Sequence, residues 1–267
     1  MFVYERAWGM RGGFHWEVRR YQSLDSTNLE AKRLLVRGAS EGLVVTAGHQ
    51  TKGRGRLDRN WLDRPGKSLL VSVVLREVEP FRAAALAALS ARAAVRRLGG
   101  EGPLCKWPND LVYGTRKVGG VLTESFRRDD DRFLIVGLGL NVGYLPEELD
   151  FPARLPPTSL LVEEGRLWSA EELLEALLGE AGERIGWGEG RLLEEYRENL
   201  AYRGRKVMVE NYVTWDLMVE WRTENLGAGG RRLSGILAGV DERGNLLVEA
   251  EGQIMRVAAG DLSPLEE

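Results

Sequence analysis

Residues 46–61 read Thr46-Ala-Gly-His-Gln-Thr-Lys-Gly-Arg-Gly-Arg-Leu-Asp-Arg-Asn-Trp61, and seven positions on comes the largely apolar run Ser68-Leu-Leu-Val-Ser-Val-Val-Leu75. A run of that length and β-branched content has the character of a buried strand. The glycine- and arginine-rich stretch before it is therefore expected to be a loop held at a sheet edge. Gly53 and Gly55 let a backbone approach a ligand closely and adopt positive φ. Arg54, Arg56 and Arg59 supply planar, permanently charged donors that match phosphate oxygens. Trp61 offers a flat face to a base or an apolar ring. The same composition also fits a plain solvated surface loop, so its setting has to decide.

The 267-residue chain is long enough for one large core or two unequal domains. Its net charge of −3 gives no bulk footprint for nucleic acid, whereas five cations against two acids between Lys52 and Arg64 make a focused anion site. The lone cysteine, Cys105, excludes an internal disulfide and fits a reducing compartment; in Leu104-Cys105-Lys106-Trp107 it reads as buried filler. With only His15 and His49, no Cys/His metal cluster can form. No signal-peptide core is present at the N-terminus, and no apolar run approaches the ~20 residues that span a bilayer, so a soluble cytoplasmic protein is expected. Only six of the 37 basic residues are lysines, which draws attention to Lys106 and Lys117, where a compact ammonium is retained.

Around the opening stretch, Phe14, Trp16 and Val18 alternate with polar residues as in a half-buried strand. Asp25 or Ser26 is placed to cap a helix running to about Arg37, with Gly38 as its stop; Asp25-Ser-Thr-Asn28 is also a compact donor and acceptor set suited to a neutral amide or urea. Leu43–Ala47 is a short strand, and Pro80 begins an alanine-rich helix through Leu98. Lys106-Trp-Pro-Asn-Asp110 and Tyr113-Gly-Thr115 are turns in a meander of three short strands, with Asn109 and Asp110 as turn residues or as part of a site. Arg128–Asp131 is a solvated hairpin tip. Phe133–Gly143 is a strand with glycines at 137, 139 and 143, and glycine inside a strand marks close approach of a backbone or ligand. Asn141 is either a turn residue or an amide for a purine edge. Residues 144–157 form a proline-rich connector, Ser169-Ala-Glu-Glu172 opens a helix to about Ile185, and another helix runs from Glu189 to Leu200. From Gly204 the pattern turns to strands and turns, which sets a domain boundary near 202.

Six stretches together resemble the biotin protein ligases (biotin–acetyl-CoA-carboxylase ligases). They are Asp25-Ser-Thr-Asn28, Gln50-Thr-Lys-Gly-Arg-Gly-Arg56 with Arg59 and Trp61, Lys106-Trp-Pro-Asn-Asp110, Arg116-Lys-Val-Gly-Gly-Val-Leu122, Gly137-Leu-Gly-Leu-Asn141 and Thr158-Ser-Leu160, in the family's order and spacing. The resemblance covers 14–200 and continues more weakly through 204–262. It implies an α+β fold: a class II synthetase-like central mixed β-sheet with packed helices over 1–202, and a small SH3-like β-barrel over 203–267. It implies ATP-dependent formation of biotinyl-5'-AMP and transfer of biotin to a lysine of the biotin carboxyl carrier protein of acetyl-CoA carboxylase, with magnesium. Ser26, Thr27, Asn28 and Gln50 would bind the ureido ring. Gly53, Arg54, Gly55 and Arg56 would hold the carboxylate and the adenylate phosphate in a loop that orders over the ligand, with Gly119 and Gly120 giving backbone access. Arg59 would add a phosphate contact, Trp61 would cover the adenine and Asn141 would meet it. Lys117 would be the catalytic lysine, with Arg54 beside it, and Lys106 and Asn109 would meet the ATP phosphates and magnesium.

Bifunctional members carry an N-terminal helix-turn-helix that represses transcription; about 13 residues precede the first expected strand here, so no DNA binding is expected. Residues 210–232, with Trp215, Trp221 and Asn225–Gly230, lengthen the C-terminal part beyond the usual pattern. The alternative is a lipoate or octanoate ligase or transferase of the same fold, which usually lacks the Gly-Arg-Gly-Arg and Lys-Trp-Pro-Asn-Asp motifs. The resemblance leaves monomer and homodimer open.

Overall fold

The computed structural model describes residues 2–11, 13–57, 59–151, 153–214 and 231–265, with the backbone alone for 2–11. The expectation of an extended segment with Trp215 and Trp221 lies largely outside these residues. An eight-stranded sheet is built from β1 (Phe2–Arg11), β2 (Phe14–Tyr21), β3 (Leu43–Ala47), β4 (Ser68–Arg76), β5 (Leu104–Lys106), β6 (Asp110–Tyr113), β7 (Arg116–Arg128) and β8 (Asp131–Asn141). Its order is β1-β2-β3-β4-β8-β7-β6-β5. The β2–β3 pair is parallel and the other pairs are antiparallel, so the sheet is mixed, as the α+β reading expects. β1 extends the sheet beyond the opening strand foreseen at Phe14. Four further strands, β9 (Lys206–Thr214), β10 (Arg232–Val240), β11 (Leu246–Ala250) and β12 (Gln253–Pro264), close on themselves in the order β10-β11-β12-β9.

Side-chain alternation gives the large sheet two distinct faces. On β8, Leu134, Val136, Leu138 and Leu140 point into the main core, whereas Phe133 and Ile135 belong to a second cluster. The main core is roofed by α2 (Pro80–Arg97), α3 (Ala170–Ile185) and α4 (Glu189–Glu198). Proline at the first turn starts α2, and its buried alanines at 83, 85, 88, 91 and 94 bring it close to the sheet. The second cluster is covered by α1 (Thr27–Val36) through Ala31, Leu34 and Leu35, a one-sided stripe at helical spacing.

The ring of β9–β12 shares the main core: Val207, Val209, Leu237, Val240, Leu246, Val257 and Leu262 are buried in the same cluster as the sheet. Trp107 fastens the join, its indole N–H donating to the Gly244 carbonyl at 2.9 Å. Gly244 has φ +80, and a Cβ there would lie 2.1 Å from the Phe81 ring. Only glycine fits this contact. Among the described residues no helix is long and apolar enough to cross a membrane.

Candidate active site

The second sheet face loses its side chains where α1 begins. The residues of β8 on that face continue from Phe133 and Ile135 to Gly137 and Gly139, and the cross-strand register sets Gly139 beside Gly120 and Leu70, and Gly137 beside Leu122 and Ser72. Directly paired residues share a face. The glycines therefore make a low floor, and larger groups settle on it. A Cβ at Gly137 would lie 2.4 Å from Asn28 Oδ1, and one at Gly139 would lie 2.6 Å from the Trp61 indole. Above this floor is a cleft lined by Ser26, Thr27, Asn28, Gln50, Arg54, Gly55, Arg56, Arg59, Trp61, Lys106, Asn109, Lys117 and Gly120.

Three of the sixteen site residues expected from sequence do not line it. Gly119 sits on the opposite face, where a Cβ would meet the Gly139 carbonyl at 2.8 Å; strict alternation separates it from Gly120. Gly53 packs under its own loop: a Cβ would lie 2.2 Å from the Trp61 carbonyl, and Trp61 N–H donates to the Gly53 carbonyl at 3.0 Å. Asn141 is buried beyond the floor, its amide donating to the Thr158 carbonyl at 2.9 Å.

At one end of the cleft the N-terminus of α1 carries a polar chain. Ser26 is the N-cap but makes no side-chain cap bond; Asp25 instead accepts from the Ser26 N–H at 2.8 Å, leaving the Ser26 hydroxyl to the cleft. Gln50 Oε1 accepts from Thr27 N–H at 2.8 Å and from its hydroxyl at 3.1 Å. Ser72 Oγ lies 2.7 Å from Thr27 Oγ1 and 2.6 Å from Asn28 Oδ1. Asn28 donates to Glu124 at 2.7 Å, and Glu124 pairs with Arg54 at 2.9 Å. Asp63, its side chain fully buried, holds the base of the loop through His49 Nδ1 at 2.8 Å and Gln50 N–H at 3.2 Å.

At the other end two ammonium groups converge on one carboxylate. Asp110 meets Lys117 at 2.6 Å and Lys106 at 3.1 Å. A bulge in β7 makes this possible. Leu111 pairs with Gly119 but Val112 pairs with Lys117, so Val118 is an extra residue. Without it, alternation from Gly120 would turn Lys117 to the far face. The connector then fixes the backbone: Lys117 N–H donates to the Pro156 carbonyl and Thr158 N–H to the Lys117 carbonyl, both at 2.8 Å. Burial would push the Asp110 carboxyl up, but the charges of Lys117 and Lys106 outweigh it and hold it below the usual carboxylate range. Burial lowers the Lys106 ammonium, with Asp110 opposing.

The arginines are tethered from different directions. Arg56 donates to Asn109 Oδ1 at 3.1 Å, and Asn109 is itself pinned by its amide to the Val121 carbonyl at 2.7 Å. Arg59 meets Asp261 of β12 at 3.3 Å. Burial holds the Arg56 guanidinium below its ordinary value, with the charges of Asp261 and Asp110 opposing. Sequence reasoning missed Ser72, Glu124, Arg154 and Asp261, all at or beside this cleft, and left Asp110 open between a turn and a site. Six cations, Arg54, Arg56, Arg59, Lys106, Lys117 and Arg154, thus line one cleft whose far end presents neutral amides and hydroxyls. That arrangement can hold two anions against their mutual repulsion beside an uncharged polar ring.

Residues 20–141 match the biotin/lipoate A/B protein ligase family. A biotin–[acetyl-CoA-carboxylase] ligase of Mycobacterium tuberculosis is 32% identical over 89% of this chain and 85% of its own length. A bifunctional ligase/repressor of Bacillus subtilis is 29% identical over 90% of this chain and 71% of its own. The solved biotin protein ligase of Aquifex aeolicus in complex with biotin and ATP superposes with a TM-score of 0.73 at 27% identity, covering 93% of this chain and 99% of that one.

Proposed function

The chain belongs to the biotin protein ligase family, and from that premise we propose that it condenses biotin with ATP and passes the biotinyl group to a lysine of the biotin carboxyl carrier protein of acetyl-CoA carboxylase. The convergence of Arg54, Arg56, Arg59, Lys106 and Lys117 on one cleft carries this reading. In it, Ser26, Thr27, Asn28 and Gln50 receive the ureido ring, whose neutral N–H and C=O groups suit hydroxyls and amides. The biotin carboxylate attacks the α-phosphorus; an O–P bond forms, the bond to pyrophosphate breaks, and the charge leaves on pyrophosphate. Lys117 and Arg54 stand between the two anions, and Arg56, Arg59 and Lys106 hold phosphate oxygens. Trp61 is the wall for the adenine. In the second step an uncharged lysine amine of the carrier attacks the mixed anhydride, AMP leaves, and the amine's proton is lost to solvent or phosphate. The Gly/Arg loop keeps water out until then.

The residues present do not form a resident magnesium site. Among the described residues no three His, Cys, Asp or Glu side chains cluster, and Asn109 Oδ1 already accepts from Arg56. In this reading magnesium arrives on the nucleotide phosphates, and Asn109 would have to release Arg56 to meet it. The proposal also places the division between catalytic and C-terminal domains at 202/203, puts the protein in the cytoplasm, and gives it no operator-binding role, in keeping with a net charge of −3 and cations gathered in a cleft. Biotin-dependent exchange of pyrophosphate into ATP tests the enzyme. Exchange driven by lipoate or octanoate and not by biotin would move the chain to the sister activity; exchange with neither would end the reading.

A further inference from the structure

A carboxylate from the C-terminal ring reaches into the cleft among the arginines. Asp261 lies on β12, lines the cleft, and meets Arg59 at 3.3 Å and Arg154 at 2.6 Å. Its aim is built in. The β12–β9 register shifts between Ala259 and Asp261, and Gly260, at φ +158, packs where a Cβ would lie 2.7 Å from Val209. A bulge of this kind turns the next side chain out of its ladder. Asp261 also acts on Arg56, whose charge it favours. Its side chain is 17% exposed and that of Arg59 is 55% exposed, so the acid is fixed and the guanidinium is free to leave. An anion inside a phosphate-seeking set is costly unless it has a purpose, because it repels the phosphates that the set attracts.

We propose that Asp261 is a placeholder anion: it occupies Arg59 from the C-terminal ring until a nucleotide phosphate takes its place. Resting on the nucleotide reading above, this makes Asp261 a positioning residue that sets ATP affinity. Arg154 keeps Asp261 neutralised once Arg59 has moved. Glu210, paired across β9–β12 with Asp261, shares Arg154 and also meets Arg232 at 3.1 Å, yet has no contact with Arg59. It serves as the control for simple loosening of the ring.

The test measures biotin-dependent ATP–pyrophosphate exchange with Asp261→Asn, Asp261→Ser and Glu210→Gln. Removing one partly screened charge beside the phosphates should lower the ATP KM by roughly three- to tenfold, with the biotin KM unchanged. Glu210→Gln should leave the ATP KM where it was. An ATP KM that is unchanged or higher in both Asp261 variants overturns the proposal, as does an equal fall in Glu210→Gln. Calorimetry with inorganic pyrophosphate reads the same exchange without chemistry: tighter binding by Asp261→Asn supports the placeholder, and equal or weaker binding sinks it. A wild-type chain lacking exchange activity would overturn the enzymatic reading, while the pyrophosphate titration would still decide the fate of Asp261.

Discussion

The two sides of the cleft hold their cations in opposite ways. On the β5–β7 side, Lys106 and Lys117 share Asp110; the Lys106 side chain is 5% exposed, and strand register and a bulge leave the group little freedom. On the loop side, Arg54 and Arg59 are 43% and 55% exposed, and each leans on an acid of a different element, Glu124 of β7 and Asp261 of β12. Compact ammoniums held on one shared carboxylate, Lys106 by burial and the 30% exposed Lys117 by the bulge and the connector, are preorganised for developing charge. Solvated guanidiniums with one partner each can change partners at little cost.

The comparison is broken most directly at Lys117. A positive charge at ~4 Å and an effective dielectric near 20 is worth on the order of 4 kcal/mol, so Lys117→Ala should slow single-turnover biotinyl-AMP formation by about a thousandfold with the fold intact. Normal synthesis would show that the fixed side does not act on the reacting anions. Next is Asp110→Asn, which strands two ammoniums and should cost about 3 kcal/mol in urea unfolding at neutral pH. Because the folded carboxyl is held below its ordinary value, this stabilisation is complete above about pH 4 and fades as pH falls through the folded value. The gap between wild type and variant should close toward acid; a gap that widens there would contradict the ion triad.

Arg54→Ser sharpens the contrast. An exposed pair contributes under about 1 kcal/mol, so unfolding should barely move. Loss of a charged hydrogen bond should nevertheless raise adenylate dissociation about tenfold in a filter-binding chase. A large stability loss with an unchanged dissociation rate would make the arginine structural. The smallest effect concerns salt. Raising ionic strength from about 0.05 M to 0.5 M should raise the ATP KM by roughly two- to threefold through the exposed arginines. A flat profile would place those arginines out of reach of the phosphates.

Much of this was legible from local patterns. The strand at 68–76, the alanine-rich helix, the helix from 170 and the placing of glycines on β8 follow from period and composition. Thirteen of the sixteen expected site residues line one cleft, most of them in loops, at strand ends and in the first turn of α1, whose character is written locally. What was not legible depends on register. Asp110 stays open between a turn residue and a site residue until β6 pairs with β7, and the parity change at Val118 leaves no local mark. Gly119 and Gly120 look equivalent in sequence and lie on opposite faces. Ser72 looks like a polar interruption of an apolar strand until the register sets it beside Gly137, under Thr27 and Asn28. Asp261 lies 202 positions from Arg59, and only the docking of the ring brings them together.

The bond from the Trp107 indole to Gly244 joins the ring to the residue next to the Pro108–Asn109 turn, and one apolar cluster runs through both parts. Trimming the chain after residue 202 would leave an open, greasy seam and an indole with its donor bare. Anyone wanting a shorter version for labelling work should expect insoluble material, and would do better to redesign the seam than to delete what covers it.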